Sequence, residues 1–215
     1  QIAAGSAHSL FIKKDGSLWG MGANYLGQLG SNISGRINIP GRIASGVVRV
    51  SAGNSYSLLL GDDGILWGMG FNRYGQLGDG TTADRGTLAQ IAAGVVQIAG
   101  GFNHSLFLKS DGTLWGMGAN FSGQLGQDLP EIQNTPAKIT DNVIQVSAGG
   151  SHTVFVKSDS SIHMTGSNYL GQLGDGTTID RTKPVKIDSG IISGTMQTDG
   201  FPDRHISPDA KIKAP

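Results

Sequence analysis

Residues 111–126 read DGTLWGMGANFSGQLG, and related stretches begin at Asp15 (DGSLWGMGANYLGQLG), Asp63 (DGILWGMGFNRYGQLG) and Asp159 (DSSIHMTGSNYLGQLG). Each start lies 48 residues after the last. A fixed period of that length marks a repeat architecture, in which one supersecondary unit recurs and buries its apolar face only against its neighbours.

The third unit shows what that element is. Val95-Val96-Gln97-Ile98-Ala99 is apolar and β-branched, a first strand that ends at Gly100-Gly101. Ser105 to Lys109 (SLFLK) makes a second strand, Ser110-Asp111-Gly112 supplies turn chemistry, and Thr113 to Met117 returns as a third. A glycine-punctuated loop over 118–127 follows, and Pro136 to Ile139 reads as a short outer strand, proline being tolerated at an edge. No window sustains a 3.6-residue apolar period, so helices are expected to be few or absent. Four short antiparallel strands per 48 residues is the size of a propeller blade.

The reading is therefore an all-β propeller of four blades over 1–192, divided at about 1–48, 49–96, 97–144 and 145–192. Residues 193–215 form a polar tail outside the repeat. Whether the blades make a partial or open ring, or a small closed ring sealed by Ile191-Ile192 beside Gln1, stays open at this stage. Trp19, Trp67 and Trp115 read as core wedges, each contributing about 2–3 kcal/mol on burial. The fourth copy departs from the others, with His163, Met164 and Thr165 where Trp, Gly and Met stand elsewhere. That departure singles out His163 as the place for an unusual contact. Gln1 to Gly5 repeats Gln97 to Gly101 without the preceding Val-Val, so a longer native protein is expected.

Composition narrows the function classes. Sixteen basic against sixteen acidic residues leave no net charge, which argues against general affinity for nucleic acid or anionic membrane. No apolar run reaches membrane-spanning length, so no membrane insertion is expected. The absence of cysteine excludes disulfides and thiolate metal sites. Thirty-five glycines with a long period and no collagen triplet mean many tight turns.

The pattern G-x-x-H-S-L, K-x-D-G-x-L-W-G-x-G-x-N-x-x-G-Q-L-G resembles the RCC1 (regulator of chromosome condensation) repeat family over about 190 residues. The resemblance implies a β-propeller, usually of seven blades, that acts as a rigid binding platform. Members of that family include a guanine-nucleotide exchange factor for a small GTPase, a plant ultraviolet photoreceptor and a bacterial β-lactamase inhibitor. By resemblance alone an exchange or enzyme-inhibitor role follows as an alternative, and a bacterial, extracellular or cell-surface setting is the expected one. Four copies here depart from the usual seven.

Several motifs invite chemistry and have plainer explanations. Gly20-Met21-Gly22 with Gly27 imitates a dinucleotide fingerprint, but no helix follows it and it recurs in other copies, as a structural turn must. His8-Ser9, His104-Ser105 and His152-Thr153 are strand neighbours whose side chains face opposite ways, and Tyr56-Ser57 fills the same place, so a packing and hydrogen-bonding role is expected rather than a catalytic pair or metal ligands. Asp79, Asp84, Asp175 and Asp180 lie beside Arg85 and Arg181, which suits Asx turns and ion pairs better than calcium. The sequons at Asn32, Asn103 and Asn120 carry weight only for a secreted eukaryotic chain. No catalytic, cofactor or metal residue is assigned.

The positions that vary between copies are the functional candidates. Between the constant Asn and Gly stand Tyr25-Leu26, Arg73-Tyr74, Phe121-Ser122 and Tyr169-Leu170, so every blade places an aromatic in the same loop. Tyr25, Arg73, Tyr74, Phe121 and Tyr169 are the candidate protein-interaction residues, since aromatics and arginine dominate binding hot spots. The alternative is that each ring covers its own blade. The leading expectation is a non-enzymatic protein-binding module without cofactor, part of a larger protein. The second is a structural role in which self-association or a neighbouring chain covers open blade edges.

Overall fold

A computed structural model describes residues 1–30, 35–126 and 129–189. The expected tail over 193–215, the sealing pair Ile191-Ile192 and the sequon at Asn32 lie outside the described residues.

Sixteen strands form four separate antiparallel sheets, each a meander in chain order. The first blade holds β1 (Ile2–Ala4), β2 (His8–Ile12), β3 (Leu18–Asn24) and β4 (Gly35–Ala44). The second holds β5 (Val47–Ala52), β6 (Tyr56–Gly61), β7 (Leu66–Gly70) and β8 (Arg85–Ala92). The third holds β9 (Val95–Gly100), β10 (His104–Lys109), β11 (Leu114–Ala119) and β12 (Ile132–Thr140), and the fourth β13 (Val143–Ala148), β14 (His152–Lys157), β15 (Ser161–Gly166) and β16 (Arg181–Ser189). No helix occurs among the described residues. The sheets change over at Gly46, Gly94 and Asn142, slightly ahead of the repeat phase counted from Gln1.

The first strands pack against one another in order, β1 on β5, β5 on β9 and β9 on β13. Together they line a central cavity of about 300 Å³. The core sits between blades. Leu10, Leu18 and Leu29 of the first blade meet Leu59 and Met69 of the second. Leu58, Leu66 and Leu77 then meet Phe107 and Met117, and Leu106, Leu114 and Leu125 meet Phe155. Alternation in β2, β6, β10 and β14 supplies both halves: one side chain serves the blade ahead and the next serves the blade behind. That is why β6 and β10 carry unbroken apolar runs, Leu58-Leu59-Leu60 and Leu106-Phe107-Leu108, and are almost wholly buried.

Burial falls off at both ends. Phe11 and Met21 are only partly covered, whereas their counterparts Leu59, Phe107 and Phe155, and Met69 and Met117, are buried. Val154 and Ile162 are likewise part-covered where Leu10, Leu58, Leu106, Leu18, Leu66 and Leu114 are buried. Among the described residues the four blades therefore stand as an open arc.

Two expectations need correction. The outer strand of the third blade runs Ile132–Thr140 and not 136–139. It tolerates Pro136 because the register with β11 jumps from Gly116↔Ala137 to Gly118↔Gln133, a bulge that leaves the proline without a ladder partner. The tryptophans are only partly the expected core wedges: Trp67 and Trp115 pack against the core clusters without being sealed in them. Trp19, Trp67 and Trp115 are half-buried, and the sealed centres belong to leucines, Phe107 and Phe155. Trp19 and Trp115 stack on Phe11 and Phe107 at centroid separations of 6.5 and 6.2 Å and carry Lys13 and Lys109 on the ring. Each indole N–H donates to a hydroxyl, Ser17 at 2.9 Å or Thr113 at 2.8 Å, which in turn donates to Asp15 or Asp111.

Candidate functional site

The turn from first to second strand and the loop from third to fourth strand lie at the same end of every blade. Backbone bonds tie them together: Ala23 N–H to Ala7 O, Phe71 N–H to Ser55 O, Ala119 N–H to Asn103 O and Ser167 N–H to Ser151 O. All four loops therefore open on one face of the arc.

Each loop is a splinted frame. The Asn side-chain oxygen accepts from the Leu amide five residues on, at 2.7 Å for Asn24–Leu29, 2.9 Å for Asn72–Leu77, 2.8 Å for Asn120–Leu125 and 2.9 Å for Asn168–Leu173. The Gln side-chain oxygen accepts from the second variable residue, as Gln28 does from Leu26 N and Gln76 from Tyr74 N. The intervening Gly75 has φ +75°, and a Cβ there would lie 2.5 Å from Asn134 Cα on the next blade. With Asn, Gln and Gly all consumed by architecture, only the two variable residues remain to present chemistry.

The first of the two points outward. Tyr25, Phe121 and Tyr169 are 67%, 57% and 69% exposed, and the Arg73 side chain fills the equivalent place. The second folds back in the second blade: Tyr74 is half-buried, edge-on to Phe71 at 5.9 Å and to Phe121 of the next blade at 5.8 Å. The structure thus brings Tyr74 and Phe121 together across a blade boundary, with Arg73 alongside and held only loosely by Asp84 at 3.9 Å. Tyr25 and Tyr169 share the face without a ring neighbour among the described residues.

Two residues of this face escape the repeat-based reading. Phe71 stands where other blades have Ala23, Ala119 and Ser167. Phe102, half-exposed, stands where others have Ser6, Asn54 and Gly150, and it rims a bowl of about 320 Å³ lined by the turn glycines of all four blades. The signal that finds them is a large aromatic at one copy of an otherwise small position.

The polar groups that invited chemistry are internally engaged. His8 Nε2 lies 3.1 Å from Ser57 Oγ, and that hydroxyl donates to Gln28 O at 2.6 Å. His104 repeats the arrangement with Thr153, which donates to Gln124 O. Since the hydroxyl hydrogen goes to the carbonyl, the imidazole must donate through Nε2–H, and its buried Nδ1 is left without a partner. Burial pushes both imidazoles down to about 4, so they are neutral pegs between blades. Tyr56 takes the same role, donating to His104 O at 2.5 Å.

Asp79 accepts from Thr81 and from Arg85 Nε at 2.6 Å, and Asp175 does so from Thr177 and Arg181. Burial alone would raise Asp79, but the Thr81 and Arg85 bonds outweigh it and hold the carboxyl below its usual range. No group of three histidine, aspartate or glutamate side chains converges among the described residues.

His163, singled out in sequence for an unusual contact, makes only local ones among the described residues. It stacks on Phe155 at 5.3 Å and bonds Ser161 at 3.0 Å, and Ser161 donates to Asp159. An imidazole has taken over the place of the indole in the Asp–hydroxyl–indole relay of the first and third blades.

The regulator of chromosome condensation (RCC1) repeat matches residues 15–60, 63–108 and 111–156, and a second description of the same repeat matches 1–28, 47–76, 95–124 and 143–172. The chain belongs to the RCC1 repeat family. Yeast Prp20p, from Saccharomyces cerevisiae, is similar at 24% identity and TM-score 0.78, over 88% of this chain and 50% of that one. Yeast RCC1 (Prp20) with Kap60 bound is similar at 25% identity and TM-score 0.79, over 88% and 48%. Human WBSCR16 is similar at 24% identity and TM-score 0.77, over 86% and 51%. The RCC1 blades described here thus span about half the length of these proteins. Among curated proteins no sequence match is found.

Proposed function

We propose that this RCC1-type arc is a non-enzymatic protein-binding module whose docking surface is the loop face. The observation that carries the reading is the distribution of aromatics: Tyr25, Phe121 and Tyr169 project from loops framed by bonded Asn and Gln side chains, and Phe71, Tyr74 and Phe121 form a contiguous edge-on cluster with Arg73 beside it. A solvent-facing aromatic cluster on a rigid frame is the arrangement that concentrates binding energy in few residues. The yeast relative Prp20 is described with bound Kap60 and with binding to Gsp1p and histones, which supports protein docking as the general use of such a platform. Guanine-nucleotide exchange and enzyme inhibition rest on family resemblance alone.

The test compares a natural-source pull-down on the wild-type chain with one on a chain carrying Tyr25→Ala, Arg73→Ala, Phe121→Ala and Tyr169→Ala. Unaltered thermal melting with at least a tenfold loss of the retained partner is expected. The same partner retained at full strength by a folded variant would refute the loop face as the docking surface.

A further inference from the structure

The second blade departs from its siblings at the end of the blades opposite the loop face, where β6 turns into β7. In the first and third blades an ammonium group lies on the indole: Lys13 Nζ is 3.7 Å from the centroid of the Trp19 ring, and Lys109 Nζ is 4.7 Å from that of Trp115. The second blade has Gly61 in that place, so its strand brings no lysine to the Trp67 ring. Across the sheet Trp19, Trp115 and His163 stand opposite Arg42, Lys138 and Lys186, whereas Trp67 stands opposite Gln90. Asp62 takes the position of Lys14, Ser110 and Ser158. All three differences make the surroundings of one ring more negative, and random decay of a repeat would not give them a common sign.

Beside that ring lies a cavity of about 250 Å³ at the boundary of the first and second blades. Trp67, Leu59 and Leu88 give it an apolar wall, and Gly46 and Val47 close it from the connection between the blades. The exposed Asp62 and Asp63 complete the lining. Asp63 Oδ1 accepts the Ile65 amide at 3.0 Å and leans over Gly61, into the space a Cβ there would need. Neither carboxylate pairs with a cation among the described residues.

We propose that this cavity takes the ammonium group of a lysine side chain from a partner protein. The ammonium lies over the Trp67 ring with its charge towards Asp62 and Asp63, and its methylene stem lies along Leu59 and Leu88. Charge complementarity selects a cation, and the cavity has room for one side chain. A primary ammonium on an unbranched stem is the chemistry that Lys13 and Lys109 already bring to the same ring in the sibling blades. The site is separate from the loop face, and the proposal does not rest on that reading.

The chain has three tryptophans, so its indole N–H signals in an NMR spectrum are few, and that of Trp67 is the one lost in Trp67→Phe. Titration with acetyl-Gly-Lys-Gly-amide is expected to shift the Trp67 signal saturably and to leave those of Trp19 and Trp115, which hold their own lysines, in place. The same peptide with norleucine for lysine has a similar stem without the charge and should shift nothing. Asp62→Asn with Asp63→Asn should weaken binding about fivefold, and added salt should weaken it in the wild type. Gly61→Lys supplies the ammonium from within the chain. Its Cβ would press only on the end of the Asp63 side chain, so the variant is expected to fold and to bind no lysine peptide. A norleucine peptide that shifts Trp67 as strongly, or a folded Gly61→Lys chain that binds the lysine peptide at full strength, overturns the proposal. Binding of n-butylammonium with the lysine peptide excluded also overturns it, and would assign the cavity to a small free amine.

Discussion

Gly75 shows how tightly single residues are bound to the repeat. It sits at φ +75°, and a methyl there would meet Asn134 Cα of the next blade at 2.5 Å. Both the backbone angle and the space reject a side chain, so Gly75→Ala is expected to cost about 2 kcal/mol or more, read as a lowered midpoint in urea unfolding. The His pegs make a different prediction. Above pH 6.5 both His8 and His104 are neutral in the folded and unfolded chain alike. Between pH 6.5 and their folded value of about 4, the unfolded chain takes up protons that the folded chain refuses. Stability is therefore complete above pH 6.5 and declines as pH falls through that window. His104→Gln keeps a donor near the Nε2–H position and removes the titration. It should lower stability at pH 7 by about 1 kcal/mol and flatten the decline, as thermal melts across pH 4 to 7 would show.

At the scale of the element, the Asp–hydroxyl–Trp relay of the β2–β3 hairpin comes with an internal control. The first, third and fourth blades have Ser17, Thr113 and Ser161 between carboxylate and ring, whereas the second has Ile65, which leaves Asp63 accepting only a backbone amide. Thr113→Val should cost about 1 kcal/mol by stranding the Trp115 N–H and half of the Asp111 bonding. Ile65→Thr should give back a similar amount, both measured by equilibrium unfolding. What sequence could show at this scale was the strand count and period, because alternation and turn residues are local. The nine-residue outer strand was illegible, since the bulge that excuses Pro136 depends on pairing with β11. The tryptophans misled because a large apolar side chain reads as sealed core, while here the amphipathic ring is half-buried on a hairpin, and Trp19 and Trp115 keep their N–H bonded. The His–Ser pegs were placed correctly as packing groups, but their partner lies 49 residues away on the next blade, one period plus one residue, which no local pattern reveals. Of the loop face, the repeated aromatics were legible as departures between copies. The clustering of Tyr74 with Phe71 and Phe121 was not, since it crosses a blade boundary.

For the whole molecule, stability follows the stack. Each blade touches only its neighbours, so local opening is governed by how many boundaries a strand shares. β6 and β10 are sealed on both faces, whereas among the described residues β2 and β14 are each covered by a blade on one side only. Amide exchange should consequently be slowest in β6 and β10 and at least tenfold faster in β2 and β14.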